Sequence, residues 1–290
     1  MPTDPTPQNV LRLRCFARIQ RGLRMAPHKA FVAVVMMVCA GLQVRARTPH
    51  PKPACGAPAG VTDGTAVLRA MHDRYANNWY ETLTFKQRSI THNADGTDNS
   101  EIWYEALMLP GKLRIDVGQT NSGNGRLLAD NKIIRFQNKK IVASRPLVHM
   151  LLVLGFDVYR QPVETTIEQV KAQGIDLSKV HEDTWEGQPV YVVGAEKGDL
   201  KTKRFWVEKE RLLFVRLIQP DEREPAKITD TRFMDYRQLS VGFVATRVEF
   251  YVDGKNVFSE IYVDIEVNPK LDPAGLRRAK ARSETVLSLK

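Results

Sequence analysis

Side chains that could carry catalysis or bind a metal are present in this chain, but they are scattered. His50, His72, His92, His149 and His181 stand apart, with no HxxxH or HxH spacing and no cysteine partner of the kind a zinc site requires. The sequence contains no GxSxG nucleophile elbow, no GxGxxG after a strand and no phosphate-binding P-loop. Cys55 lies among Pro49, Pro51, Pro53 and Pro58 without a nearby base, so it is a poor thiol nucleophile. Glu182-Asp183 and Asp221-Glu222 are adjacent acids near turns; on a strand such neighbours point to opposite faces and read as solvated. Lys201-Thr202-Lys203-Arg204 precedes Phe205-Trp206, a mixture of charge and aromatics that nucleic-acid binders use. Here it reads instead as a solvated edge strand protected by its lysines. The expectation is a protein without catalytic residues, metal or cofactor, and without nucleic acid as partner. His149 is the one candidate for a dispersed hydrolase or isomerase site.

The elements that would position any site alternate between two periods. Thr62 or Asp63 can cap a helix reaching about Asn78, with Leu68, Met71, Tyr75 and Trp79 on one face. From Thr82 the period becomes two: Leu83, Phe85 and Gln87 alternate with Thr84, Lys86 and Arg88, and Ala94-Asp95-Gly96-Thr97 supplies a hairpin turn. Short strands follow to about residue 144. The segment 147–159 then interrupts them with His149-Met150-Leu151-Leu152-Val153-Leu154, apolar on all sides, and Pro162 opens a polar helix ended by Gly174. Strands resume from 179 to 267. The last of them places Val257, Ser259, Ile261, Val263, Ile265 and Val267 on one face and Phe258, Glu260, Tyr262, Asp264 and Glu266 on the other. Consecutive hairpins imply antiparallel pairing and exclude a Rossmann arrangement. Eleven to thirteen strands exceed what a flat twisted sheet supports, which predicts a mainly β fold: a curved antiparallel incomplete barrel covered by a few helices.

With 290 residues, 43% hydrophobic and 26% charged, a disordered chain is excluded, and three cysteines are too few for a disulfide scaffold. The net charge of +10 is concentrated at the ends. Residues 1–55 carry nine basic side chains against Asp4, residues 276–290 carry five against Glu284, and the 220 residues between hold 29 positive and 31 negative charges. The run Ala30–Leu42 follows Arg24 and Lys29 and precedes Val44-Arg45-Ala46, the pattern of a cleaved secretory signal peptide and too short for a membrane span. Uncleaved anchoring, or lipidation at Cys39, is the lesser alternative, and translation could begin at Met1 or Met25. The expected organisation is an N-terminal extension and signal peptide over 1–46, a Pro-rich linker over 47–60, one domain over 61–275 and a basic tail over 276–290. The expected location is the bacterial periplasm.

Several stretches taken in order resemble the outer-membrane lipoprotein-sorting proteins, the LolA/LolB-like family. These are Phe85-Lys86-Gln87; Ile102–Leu109 running into Pro110-Gly111-Lys112-Leu113-Arg114-Ile115; Leu128-Ala129-Asp130-Asn131-Lys132-Ile133-Ile134; the Leu-rich segment after Pro146; and Val267-Asn268-Pro269 with Leu271-Asp272-Pro273. The resemblance implies an apolar interior under helical lids that holds acyl chains. Two positions depart from the family pattern: Leu109 stands where the lipoprotein carriers have an Arg before the Pro, and Asn131 replaces the hairpin glycine. The residues expected to line the cavity are Phe85, Trp103, Ile115, Phe136, Phe250 and Ile261 from the sheet and Met150, Leu151 and Leu154 from the lid. The expected partners are the acyl chain of a lipid or lipoprotein and an inner- or outer-membrane protein. A filled interior with Tyr104, Phe258 and Tyr262 exposed would instead point to a protein-interaction module on the same scaffold.

Overall fold

In the computed structural model, the described residues are 61–273 except 121, 200, 222 and 223, together with Leu276. The expected signal peptide, the linker and nearly all of the basic tail, with Cys15, Cys39 and Cys55, lie outside them. Thirteen strands form one open antiparallel sheet. Helix α1 (Gly64–Tyr75) precedes β1 (Thr82–His92), β2 (Asp98–Met108), β3 (Lys112–Val117), β4 (Gly125–Ala129), β5 (Lys132–Gln137) and β6 (Lys140–Pro146). Then come α2 (Met150–Gly155), a 3-10 turn (Asp157–Tyr159) and α3 (Val163–Ala172). The second run of strands is β7 (Asp176–Trp185), β8 (Gln188–Gly194), β9 (Arg204–Glu208), β10 (Phe214–Pro220), β11 (Ile228–Gln238), β12 (Phe243–Val252) and β13 (Lys255–Val267). Each run is a meander, and the two are joined where β1 pairs with β13, so the strand order is β6 through β1, then β13 through β7.

Asp63 caps α1 by accepting from the Ala66 backbone N–H at 2.8 Å, and Val67, Leu68, Met71 and Tyr75 turn inward. The helix packs on β7, β8 and α3. At its first residue, Gly64, a Cβ would stand 2.4 Å from Val193 Cγ1, so glycine is what lets the helix start approach the sheet. An aromatic group fills the core here: Trp79 stacks on Tyr159 at 4.0 Å and Tyr75 meets Tyr159 edge-on at 5.4 Å.

The segment read as one apolar helix is broken. α2 ends at Gly155, Phe156 takes φ −139° and ψ −56°, and a separate 3-10 turn follows. The break lets Tyr159 point back into the core, where its hydroxyl accepts from the Phe214 N–H at 3.0 Å while the Tyr236 hydroxyl donates to the Phe214 carbonyl. Both bonds serve a backbone position at which the pairing of β9 with β10 shifts register. The reading of 201–204 as the start of a solvated edge strand is also corrected. Strand β9 lies between β8 and β10 with all five residues buried, and the Arg204 guanidinium lies over the Trp206 ring, 5.1 Å from its centroid. Burying Arg204 under an aromatic plane is possible because its Nη1 donates to the Thr202 carbonyl at 2.8 Å.

Replacing Tyr159 with Phe keeps the ring stack but leaves the buried Phe214 N–H without its partner. The expected cost is about 1–3 kcal/mol of unfolding free energy in urea titration, and a variant as stable as wild type would show that another group satisfies this N–H.

Candidate functional site

A cavity of about 270 Å³ lies between the concave face of the sheet and α2. Strand register fixes its floor. Gln87 of β1 sits opposite Trp103 of β2 on one side and Tyr262 of β13 on the other. One position along, Phe85 faces Glu105, Glu105 faces Ile115 of β3, and Ile115 faces Arg126 of β4. Leu107, Leu113, Leu128 and Ile133 make a parallel row. On the other wing, Val248 pairs with Glu260 and Phe250 with Phe258, with Phe233 beyond. Leu151, Leu152, Phe156 and His149 close it from the α2 side. Phe85 stacks on Tyr262 at 4.2 Å, and Trp103 and Phe250 lie 5.7 and 5.6 Å from Phe258.

Of the residues expected from sequence, the structure places Phe85, Trp103, Ile115, Leu151 and Phe250 on this cavity. Met150 and Leu154 belong to the main core on the other sides of α2. Phe136 packs with Leu127 and Ala129 in a small separate cluster beneath the Arg114 guanidinium, 5.0 Å from the ring. Ile261 faces outward, opposite Arg88 and Arg247. Strict alternation along β13 misplaces it because the strand carries a bulge: Thr84 pairs with Glu266 but Lys86 with Val263, and Asp264 takes φ 51°. Before the bulge Phe258, Glu260 and Tyr262 face inward; after it Ile265 and Val267 do. Tyr262 is buried, and Tyr104 and Phe258 are half-buried, so the three do not form an exposed aromatic face.

The polar lining is what hydrophobic patterning passes over. Glu105 and Glu260 flank Gln87, and burial pushes both carboxyls above the usual carboxylate range, with their mutual repulsion adding to the rise at Glu105. Glu260 accepts from the Tyr262 hydroxyl at 2.7 Å. The Gln87 amide nitrogen donates to Ser89 Oγ at 2.9 Å, and its Oε1 is buried without a partner, as is Trp103 Nε1. Arg126 is exposed, with its guanidinium 5.3 Å from the centre of the Trp103 ring. His149 is pushed down to about 4 by burial and by Arg126 and Arg145. Its Nδ1 accepts from the Leu152 N–H at 3.3 Å as the cap of α2, so the imidazole is neutral with its proton on Nε2. That capping bond gives His149 a local structural role. Glu105 was detectable from sequence, since it shares the parity of Trp103 and Leu107.

The 3-10 turn after α2 is tied to the β2–β3 turn. Asp157, 2% exposed, accepts from the Gly111 N–H at 2.8 Å, and burial raises its pKa to about 7. Arg160 adds an ion pair to Glu81 at 2.8 Å. Among the described residues no group of three or more His, Cys, Asp or Glu side chains is placed to hold a metal ion, and no helix is long and apolar enough to cross a membrane.

No protein-family model matches the chain, and no curated protein matches it in sequence. Among solved structures it is similar to a domain ascribed to the outer membrane lipoprotein-sorting proteins, from Vibrio parahaemolyticus. That likeness spans 74% of this chain and 98% of that one at 13% identity, with a TM-score of 0.51. Two further structures align less well: a DUF1329 family protein from Desulfovibrio piger (12% identity, 73% and 95% coverage, TM-score 0.48) and a LolA superfamily protein from Nitrosomonas europaea (11%, 71% and 96%, TM-score 0.44). At such identity the likeness is one of fold. The chain has a LolA-like fold, an open curved antiparallel sheet with few helices.

Asp157 gives a pH dependence of stability with a definite sign. The folded state keeps its proton up to about pH 7, whereas an unfolded aspartate loses it near 4. The folded chain therefore binds more protons between these values, and stability falls as pH rises through that window. Asp157→Asn keeps a carbonyl oxygen for Gly111 but cannot ionise. Its urea stability relative to wild type should increase by about 2–4 kcal/mol from pH 4 to pH 8; parallel profiles would mean that Asp157 ionises freely in the folded chain.

Proposed function

We propose that this protein is a periplasmic, non-catalytic carrier that binds acyl chains of a lipid or lipoprotein in the cavity under α2. The observation that supports this reading is the cavity itself, floored by stacked aromatic rings and roofed by leucines. Each methylene removed from water contributes about 0.8 kcal/mol. A space of 270 Å³ equals about nine water volumes at ~30 Å³ each, room for a single chain or part of one. The apolar run 30–42 supports export, and the near-neutral body argues against nucleic acid.

Loading requires that α2 yield. Met150, Leu152, Val153 and Leu154 are buried, and Leu151 and Leu152 border the cavity, so a chain longer than the cavity pushes first against Leu151 and Leu152. The Asp157 bond to Gly111 stands beside the turn where Leu109 replaces the family's Arg, and here it holds the lid segment. At Gly155 a Cβ would lie 2.8 Å from Phe233, so the end of α2 rests directly on the cavity wall.

Delipidated protein should take up a fluorescent fatty acid. Leu151→Arg, which puts a charge into the cavity roof, should weaken uptake about tenfold or more, whereas Ile261→Arg on the outer face should leave it unchanged. Absence of uptake by folded wild type, or equal uptake by Leu151→Arg, would overturn the reading. Hydrogen exchange over residues 147–160 should accelerate at saturating lipid. Unchanged protection would identify the segment as rigid core and remove the lid from the mechanism.

A further inference from the structure

An apolar chain gives no reason for the polar groups on the cavity floor. Glu105 is 7% and Gln87 1% exposed, and both lie on the concave face of a sheet whose other inward positions at this level are aromatic or aliphatic. Burying a carboxyl such as Glu105 costs free energy, and a second, half-buried one, Glu260, stands on the other side of the same amide. The Gln87 amide nitrogen is engaged by Ser89 and directed at Glu260, which leaves Oε1 as the group pointing to no partner. The lining therefore includes two carboxyl groups and the unpaired Gln87 carbonyl oxygen, with Glu105 diagonal to Gln87 on β2, Glu260 diagonal to it on β13, and the unpaired Trp103 Nε1 as a donor beside them.

We propose that the ligand of this cavity carries a protonated primary amine that seats between Glu105 and Glu260 against the Gln87 carbonyl oxygen, with its alkyl chain along Phe85, Phe258 and the lid leucines. The proposal rests on the reading of the cavity as a chain-binding site. An ammonium has three donors and no acceptor, so carboxyl oxygens and the Gln87 Oε1 are the acceptors this lining can give it. Charge also favours an ammonium. Two carboxylates, when ionised, outnumber Arg126, the cationic side chain among the lining residues, which is exposed. The other titratable groups on the cavity are neutral: His149 from the α2 side, with Arg145 nearby, and the buried Tyr262 hydroxyl, whose pKa burial raises. A fatty carboxylate fits less well, because Arg126 is solvated and a bound carboxylate would lie against two acids, buried Glu105 and half-buried Glu260. Burial raises the pKa of both acids and so favours their protonated forms. An ammonium seated beside them favours the ionised carboxylates instead, so its binding releases to solvent the protons the pair held, while the ammonium keeps its own.

The test compares three ten-carbon probes by calorimetry at pH 7 on the purified chain: decylamine, decanol and decanoate. Decylamine should bind about tenfold or more tighter than decanol. Its apparent enthalpy should differ between phosphate and Tris buffers by the amount expected for net proton release, with decanol showing no buffer dependence. In Glu105→Gln/Glu260→Gln the two should bind alike and the buffer dependence should vanish. Equal affinity of wild type for amine and alcohol, tighter binding of decanoate, or buffer-independent amine binding would each overturn the amine site while leaving chain binding in place. Failure of all three probes to bind would overturn the chain-binding reading and this proposal together.

Discussion

The pairing of β1 with β13 makes one molecule of two meanders. Without it, β1–β6 would be a six-stranded sheet with a bare concave face, and the aromatic residues of β13 would have nothing to meet. The register of that pair sets Gln87 against Tyr262 and Ser89 against Glu260, and the bulge at Asp264 switches which parity of β13 looks inward. A one-residue slip would send Phe258, Glu260 and Tyr262 to the solvent side and draw Ile261 and Val263 in. The cavity thus exists in one register only, and the bulge confines that register to the half of β13 that borders it.

The helices divide the concave face into a filled part and an open part. α1 covers β7 and β8, and the rings of Tyr75, Trp79 and Tyr159 complete the packing there. α2 has six residues and contacts β10 and the 3-10 turn. At 1.5 Å rise per residue it spans about 9 Å, less than the width of three strands at ~4.8 Å spacing. It cannot cover the floor between β13 and β5, and a space remains. The length of α2 is set by the break at Phe156, and that break is required by Tyr159, whose hydroxyl completes the backbone at Phe214. The filled core and the open cavity therefore have a common cause.

Much of this was legible in the sequence, and the parts that were not have physical reasons. Period-two alternation gave nearly every strand because one face of each is buried. The helix starts followed from Asp63 and Pro162. Ile261 was misplaced because a bulge leaves no mark in an apolar alternation; an Asp can adopt positive φ, but Asp264 reads equally as an exposed polar position. Phe136 was misplaced because β5 lies near an edge, where a separate small cluster shields a large ring. Met150 and Leu154 share an all-apolar helix with Leu151, and nothing in such a run distinguishes the side that meets a core from the side that meets a cavity. The acids were passed over for the opposite reason: hydrophobic patterning searches for lining among apolar residues only.

That last omission has a general basis. Core positions are filled with apolar side chains because an unpaired polar group there costs about 1–3 kcal/mol, and a fold this rich in leucine and phenylalanine had alternatives at 87, 105 and 260. Consistency of local pattern with global fold is the rule in proteins, and departures from it concentrate where stability is exchanged for recognition. Here the departures fall at three inward positions on neighbouring strands, diagonal to one another in register, and they fall on a part of the concave face that packing leaves open. On β11, by contrast, the buried Asp230 is paired with Arg216 and Arg232. At the cavity floor Glu105 and Glu260 instead flank an amide whose oxygen is unsatisfied. A cavity made only by imperfect packing would be expected to be apolar throughout, so the chemistry of this one is a property of its sequence and not merely of its shape.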